Sequence, residues 1–209
     1  LVFPFAMLTG MMSAGAMGGG VSSAISRALG SSDLRRANML AFHALLIGIG
    51  AGVLYTLFFL LFGAAFYRML GGAGEVLHEA VRYSTVLFSG ALLVWLSNTL
   101  ASILRGAGSM HLPSGAITAT AILQIILGGT LGLGLGPVPS LGMVGIAIGH
   151  IVATATGVGF LLWVLISGRG RITLHLRGIP MRRELFGDIL KVGAIALVAP
   201  VQSVLAVLV

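Results

Sequence analysis

Residues 37–67 read ANMLAFHALLIGIGAGVLYTLFFLLFGAAFY and contain no Asp, Glu, Lys or Arg. A helix needs about 20 apolar residues to cross roughly 30 Å of hydrocarbon. The stretch is long enough. A barrel strand would be about ten residues long and would alternate polar with apolar positions. Nothing between Ala41 and Leu61 alternates in that way, so the stretch reads as a membrane-spanning helix. Four more runs lack charge: 1–26, 83–104, 106–168 and 192–209. The longest holds the sequence Gly134-Leu135-Gly136-Pro137-Val138-Pro139-Ser140, where glycine and proline end a helix. Six spans are therefore expected, at 3–26, 39–66, 84–104, 114–134, 142–167 and 189–209. The fold class is an all-α polytopic membrane protein.

Composition agrees. Of 209 residues, 57% are hydrophobic and 8% are charged, against about 25% charged in a soluble domain. So few charges could not cover a soluble enzyme, and a disordered chain is excluded for the same reason. The 32 glycines follow no three-residue period, so the chain is not collagen. There is no cysteine, hence no disulfide and no thiolate metal site.

The net charge of +7 could suggest nucleic acid, but its placement records topology instead. Ten of the twelve basic residues fall in or beside the first, third and fifth connections: Arg27, Arg35, Arg36, Arg105, Arg169, Arg171, Arg177, Arg182, Arg183 and Lys191. The second holds Arg68 and Arg82, with Glu75 and Glu79 as loop acids, and the fourth holds none. The positive-inside rule puts the odd connections in the cytoplasm, so the first span enters from outside. No nucleic-acid partner is expected. The bilayer is the expected surrounding, and the location a cytoplasmic (inner) membrane crossed many times.

Leu1 opens inside an apolar run with no basic flank, unlike a signal peptide, and Val209 ends inside another. A fragment of a longer membrane protein is expected.

Three motifs carry a family resemblance. The first is Val21-Ser22-Ser23-Ala24-Ile25-Ser26-Arg27-Ala28-Leu29-Gly30-Ser31-Ser32-Asp33, with Arg35, Arg36 and Ala37 after it. The second is Arg105-Gly106-Ala107-Gly108-Ser109, with Pro113 beyond. The third is the Gly134–Ser140 joint continued by Leu141-Gly142-Met143-Val144-Gly145-Ile146-Ala147-Ile148. Together they resemble the multidrug and toxic compound extrusion (MATE) family, over helices two to seven of a twelve-helix transporter. The resemblance implies that 1–168 supplies about five spans of the first lobe. Residues 169–188 would be the basic cytoplasmic linker between lobes, and 189–209 the first helix of the second lobe. It implies a secondary transporter rather than an enzyme, with no cofactor. The transporter would export drugs or other small organic compounds by antiport with Na⁺ or H⁺. Its partner would be the missing lobe of the same chain. Two alternatives stand beside this: a lipid-linked saccharide flippase of the same superfamily, or a truncated, non-transporting product.

Coupling in such transporters uses ionisable groups at mid-membrane. Where relatives show N-I-I-L-D-P, this chain reads Gln124-Ile125-Ile126-Leu127-Gly128-Gly129, with glycine in place of the acid. Relatives with a glutamate in the seventh helix correspond here to Ala199-Pro200-Val201-Gln202-Ser203. The intramembrane polar residues are Asn98, Gln124, Gln202 and His150, read as cavity lining or as hydrogen-bonding glue between helices. His43 and His150 could sense protons or be satisfied interface residues. Arg27, Asp33 and Arg105 are candidates for a cytoplasmic gate, with helix capping as the alternative role for the first two. Gly18-Gly19-Gly20, Gly48 with Gly52, and Gly145 with Gly149 read as packing contacts or hinges. Met7, Met11, Met12 and Met17 suit either a promiscuous pocket or ordinary packing. No metal site is expected, since no His or acid pair lies at i, i+3 or i, i+4 within a span.

Overall fold

The computed structural model describes residues 1–135, 139–168, 171–174, 180–196 and 202. Among these, every regular element is helical: α1 (Phe3–Gly10), a π-helical segment (Met11–Met17), α2 (Gly18–Gly30), α3 (Leu34–Met69), α4 (Gly74–Ser89), α5 (Ala91–Gly106), α6 (His111–Leu133), α7 (Gly142–Ile166) and α8 (Arg183–Ala196).

Helices α3, α6 and α7 are each long and apolar enough to span a membrane, and α4 with α5 is long and apolar enough only when the two are taken together as one bent pair. The first expected span is continuous helix, because Gly10, Met11, Met17 and Gly18 all keep right-handed helical angles across the π segment. The sixth is described as a helix to Ala196 and again at Gln202.

Three boundaries differ from the sequence reading. Glu75 and Glu79 lie inside α4 rather than in a loop; charge at a helix end does not stop a helix, and Glu79 faces Arg82 at 3.6 Å. The span expected at 84–104 is bent by 42° at the α4–α5 break. A Ser89-Gly90 pair occupies that break, a usual cause of a kink, and a Cβ on Gly90 would lie 2.5 Å from Ile151 of α7. The last helix starts at Arg183, not at 189.

Glycine lets the helices touch. A Cβ on Gly18 would sit 2.6 Å from Ser102 Oγ, on Gly48 2.6 Å from Thr99 Oγ1, and on Gly52 2.9 Å from Leu92 Cα. A Cβ on Gly20 would lie 2.6 Å from Ile189 O, and one on Gly149 2.5 Å from Gly128 N. Gly145 abuts the Leu131 carbonyl. The packing reading therefore holds for these six. Gly19 faces open space.

Connections rich in arginine gather at one end. Ser26 Oγ donates to Gly106 O at 3.2 Å, tying the end of α2 to the end of α5. Thr173 N–H donates to Asn38 Oδ1 at 3.2 Å, and Leu174 N–H to Leu165 O at 3.0 Å. Ile172, Leu174, Leu185 and Ile189 are buried there with Val21, Ile25, Leu40 and Leu104. Toward the other end lies an aromatic cluster. Phe59 stacks on Phe88 with centroids 4.5 Å apart, and Tyr55 donates to Phe5 O at 2.8 Å.

Four helices end alike. Asp33 N–H donates to Ala28 O, Gly72 N–H to Tyr67 O and Ser109 N–H to Leu104 O, each at 2.9 Å, and Leu135 N–H to Thr130 O at 3.0 Å. The left-handed residue of each turn is Ser32 (φ 59°), Gly71 (φ 82°), Gly108 (φ 84°) or Gly134 (φ 72°). Only serine carries a Cβ into that region. Ser32→Gly is expected to stabilise the full-length protein by about 1 kcal/mol. Thermal unfolding in detergent checks this; a fall in Tm would contradict it.

Candidate functional site

Asn98, Ser102 and Arg105 lie at i, i+4 and i+7 on α5. Arg105 Nη2 donates to Ser102 Oγ at 2.8 Å, and Ser102 Oγ donates to Asn98 O at 2.7 Å. Asn98 Nδ2 reaches across to Ser13 Oγ at 2.8 Å, and Ser13 Oγ donates to Thr9 O at 2.6 Å. Ser13 lies in the π segment. Its hydroxyl thus serves both as acceptor from α5 and as donor into its own helix. Serine back-bonding of this kind accompanies local distortion of a helix, and π segments concentrate at functional positions.

Helices α6 and α7 pack as a close pair, which sets Gln124 opposite His150. Gln124 Oε1 lies 3.0 Å from His150 Nδ1. The carbonyl oxygen can only accept, so this arrangement puts the proton on Nδ1. Thr154 Oγ1 donates to His150 O at 2.7 Å and is buried.

Two cavities meet at this pair. One, of about 320 Å³, is walled by α1, α4, α5, α6 and α7, with Thr9, Tyr83, Phe88, Ile146, Gln124 and His150 among its lining residues. The other, of about 190 Å³, is lined by Ser97, Asn98, Thr120, Gln124, His150 and Thr154 with apolar neighbours. Three of the four cavity candidates, Asn98, Gln124 and His150, therefore come together. Asn98 fills both roles the sequence allowed, as interhelical glue and as lining. Gln202 lines neither cavity; it is helical and exposed. Ser97, Thr120, Thr154 and Tyr83 were not singled out from sequence, because a lone hydroxyl in an apolar run gives no sign of which face it occupies.

The gate candidates divide. Arg27 and Asp33 line a separate polar pocket of about 180 Å³ with Ser31, Arg36 and Asp188. Asp33 also caps α3, its Oδ1 accepting from Arg36 N–H at 2.8 Å. Arg36 Nη2 contacts Asp188 Oδ2 at 2.7 Å, and this hydrogen bond raises the Arg36 guanidinium above its ordinary pKa. Arg105 lies apart, committed to Ser102. His43 is fully buried, with Nδ1 2.7 Å from Met39 O and Nε2 accepting from Arg182 N–H at 3.1 Å. It is a satisfied interface histidine. The pairings of Arg36 with Asp188 and of Arg182 with His43 had no sequence signal, since partners 139 to 152 positions apart leave no local pattern.

The MatE family model matches residues 1–130. The chain belongs to the MatE family. It is 26% identical over 189 residues to "Multidrug export protein MepA" of Staphylococcus aureus (strain MSSA476), covering 90% of this chain and 41% of that protein. MepA of Staphylococcus saprophyticus is 28% identical over the same length. An inward-facing conformation of a multidrug resistance MATE family transporter superposes with TM-score 0.90 at 29% identity, over 98% of this chain and 46% of that one. An outward-facing conformation superposes with TM-score 0.87 at 30% identity, over 95% and 43%. The chain thus spans less than half the length of these relatives. It shares its all-helical architecture with one part of a twelve-helix MATE transporter.

Proposed function

We propose that the full-length protein is a secondary active exporter of drugs or other amphipathic organic compounds. It exchanges them for Na⁺ or H⁺ across the cytoplasmic membrane. This chain supplies most of the first lobe, the linker at 169–188 and the start of the second lobe. The observation that carries the reading is the pair of cavities that share Gln124 and His150 as lining. Their walls are mostly apolar, with a few neutral hydrogen-bonding groups. Such a wall suits an amphipathic organic molecule better than a phosphorylated saccharide, which calls for arginines. The likeness of one lobe to both an inward-facing and an outward-facing relative supports transport by rocking of rigid lobes.

The test is ethidium accumulation in cells expressing the full-length gene, with the ion gradients intact and then collapsed by ionophores. Expected is severalfold lower accumulation than in vector controls, lost when the gradients collapse. Accumulation equal to the control in both conditions would overturn the export reading.

A further inference from the structure

We propose that His150 is the proton-carrying group of this transporter, so that the coupling ion is H⁺. This rests on the export reading and assigns its ion and its residue. No Asp or Glu lies in α5, α6 or α7. One helical turn away from Gly128, Gln124 points at His150 on the facing helix. His150 lies eight residues past the start of α7, roughly 12 Å along the helix axis. That position is in the interior of a helix long and apolar enough to cross a membrane.

The geometry leaves one nitrogen for the proton. Nδ1–H is held by Gln124 Oε1. Nε2 has no partner among the described residues, yet it is not among the enclosed, unpaired polar atoms. It is open to the cavities that His150 lines. Its lone pair takes up H⁺ to give an imidazolium with both nitrogens as donors. The Nδ1–H bond to Gln124 persists. Release of the same proton to the opposite side restores the neutral ring.

The surroundings make this charge consequential. Helix α7 packs on α4, α5 and α6. From α6 the lining carries Gln124 and no titratable group; from α5 it carries Val94, Ser97 and Asn98, again none. α1 offers Ala6, Thr9 and Gly10. From α4, Tyr83 is the one titratable side chain that shares the cavity among the described residues. Among the described residues, no carboxylate lines either cavity. A protonated His150 and a cationic substrate therefore repel each other within one cavity, and each displaces the other. That mutual exclusion is the exchange an antiporter requires.

The experiment uses the full-length transporter reconstituted in liposomes, with ethidium as the probe and Kd read from pH 5.5 to 8. In the wild type, binding should weaken up to tenfold per pH unit on the acid side of the histidine titration. In H150Q, Kd should change less than twofold over the range, and an imposed pH gradient should no longer drive ethidium uphill. Q124L removes the acceptor that favours the imidazolium, so the midpoint of its Kd profile should move to lower pH. A residue acting only in packing would not move that midpoint. A flat wild-type profile overturns the proposal, as does an H150Q protein that keeps the slope and the proton-driven transport. Failure of the wild type to transport ethidium under any gradient overturns the export reading and the proposal with it. Transport driven by Na⁺ alone overturns the proposal and leaves export standing.

Discussion

Gly149→Leu is expected to prevent α6 and α7 from closing and to lower the Tm of the full-length protein by on the order of 10 °C. A Cβ at Gly149 would lie 2.5 Å from the Gly128 amide nitrogen and 2.8 Å from its Cα. The obstruction is backbone, so no rotamer change relieves it. Gly145, one turn earlier, abuts the Leu131 carbonyl, which blocks a compensating slide along the same seam. In lipid the helices gain little from hiding apolar surface, and close van der Waals contact supplies the association. Separating the pair by the width of a leucine forfeits that contact along its length. Overpacking costs about 1–3 kcal/mol where side chains can yield and more where they cannot. Gly129→Ala is the matched control. Nothing lies within 4 Å of a Cβ there, so the change should be neutral or stabilise by about 0.5–1 kcal/mol. Thermal unfolding in detergent reads both. A Gly149→Leu protein that melts within about 2 °C of wild type would remove the seam from the account. Loss of the pair would also separate Gln124 from His150, so ethidium binding should fall with stability.

How much of this was legible follows from what each signal reports. Charge-free length located the spans, because lipid penalises charge at any position along a helix. It misplaced their ends at Glu75 and Glu79, because a helix extends beyond the hydrocarbon at no such penalty. The bend at Ser89-Gly90 and the π segment around Ser13 were invisible in hydropathy. Both involve which neighbour presses on a glycine or donates to a hydroxyl, and that is a tertiary fact. The small-residue pairs were readable because a close helix crossing demands glycine on at least one side, so Gly145 and Gly149 declared their face. Asn98, Gln124 and His150 were readable as a set because a buried amide or imidazole must find a partner. Which of them would meet was not. The pairing of Gln124 with His150 depends on the register of α6 against α7, which the Gly128–Gly149 contact sets. The joint at 136–138 and the linker residues Arg169 and Arg177 lie outside the described residues, so those expectations stay with the sequence.

His43→Ala is expected to release the segment after α7 from the rest of the fold, at a cost of about 3 kcal/mol. The ring is fully buried beside Leu40 and Ala44, and Phe186 meets it edge-on with centroids 4.7 Å apart. Nε2 accepts from Arg182 N–H, so one side chain of α3 anchors the start of α8 by both packing and hydrogen bonding. Truncation leaves a void and an unpaired backbone donor together. The exposed ion pair Arg36–Asp188 joins the same two helices at 2.7 Å, but its partners are 48% and 36% exposed. Pairs in such a setting contribute about 0–1 kcal/mol. The two contacts therefore make opposite forecasts about what holds α8 down. Hydrogen exchange on the full-length protein separates them. In His43→Ala, amides at 172–174 and 182–186 should exchange at least tenfold faster while α6 and α7 keep their protection. In Arg36→Ala the same amides should change less than threefold, and added salt should erase the difference. If Arg36→Ala frees the segment more than His43→Ala does, the docking is electrostatic, and the polar pocket that Arg27 and Asp33 share with Asp188 favours the gate role over capping for those two residues.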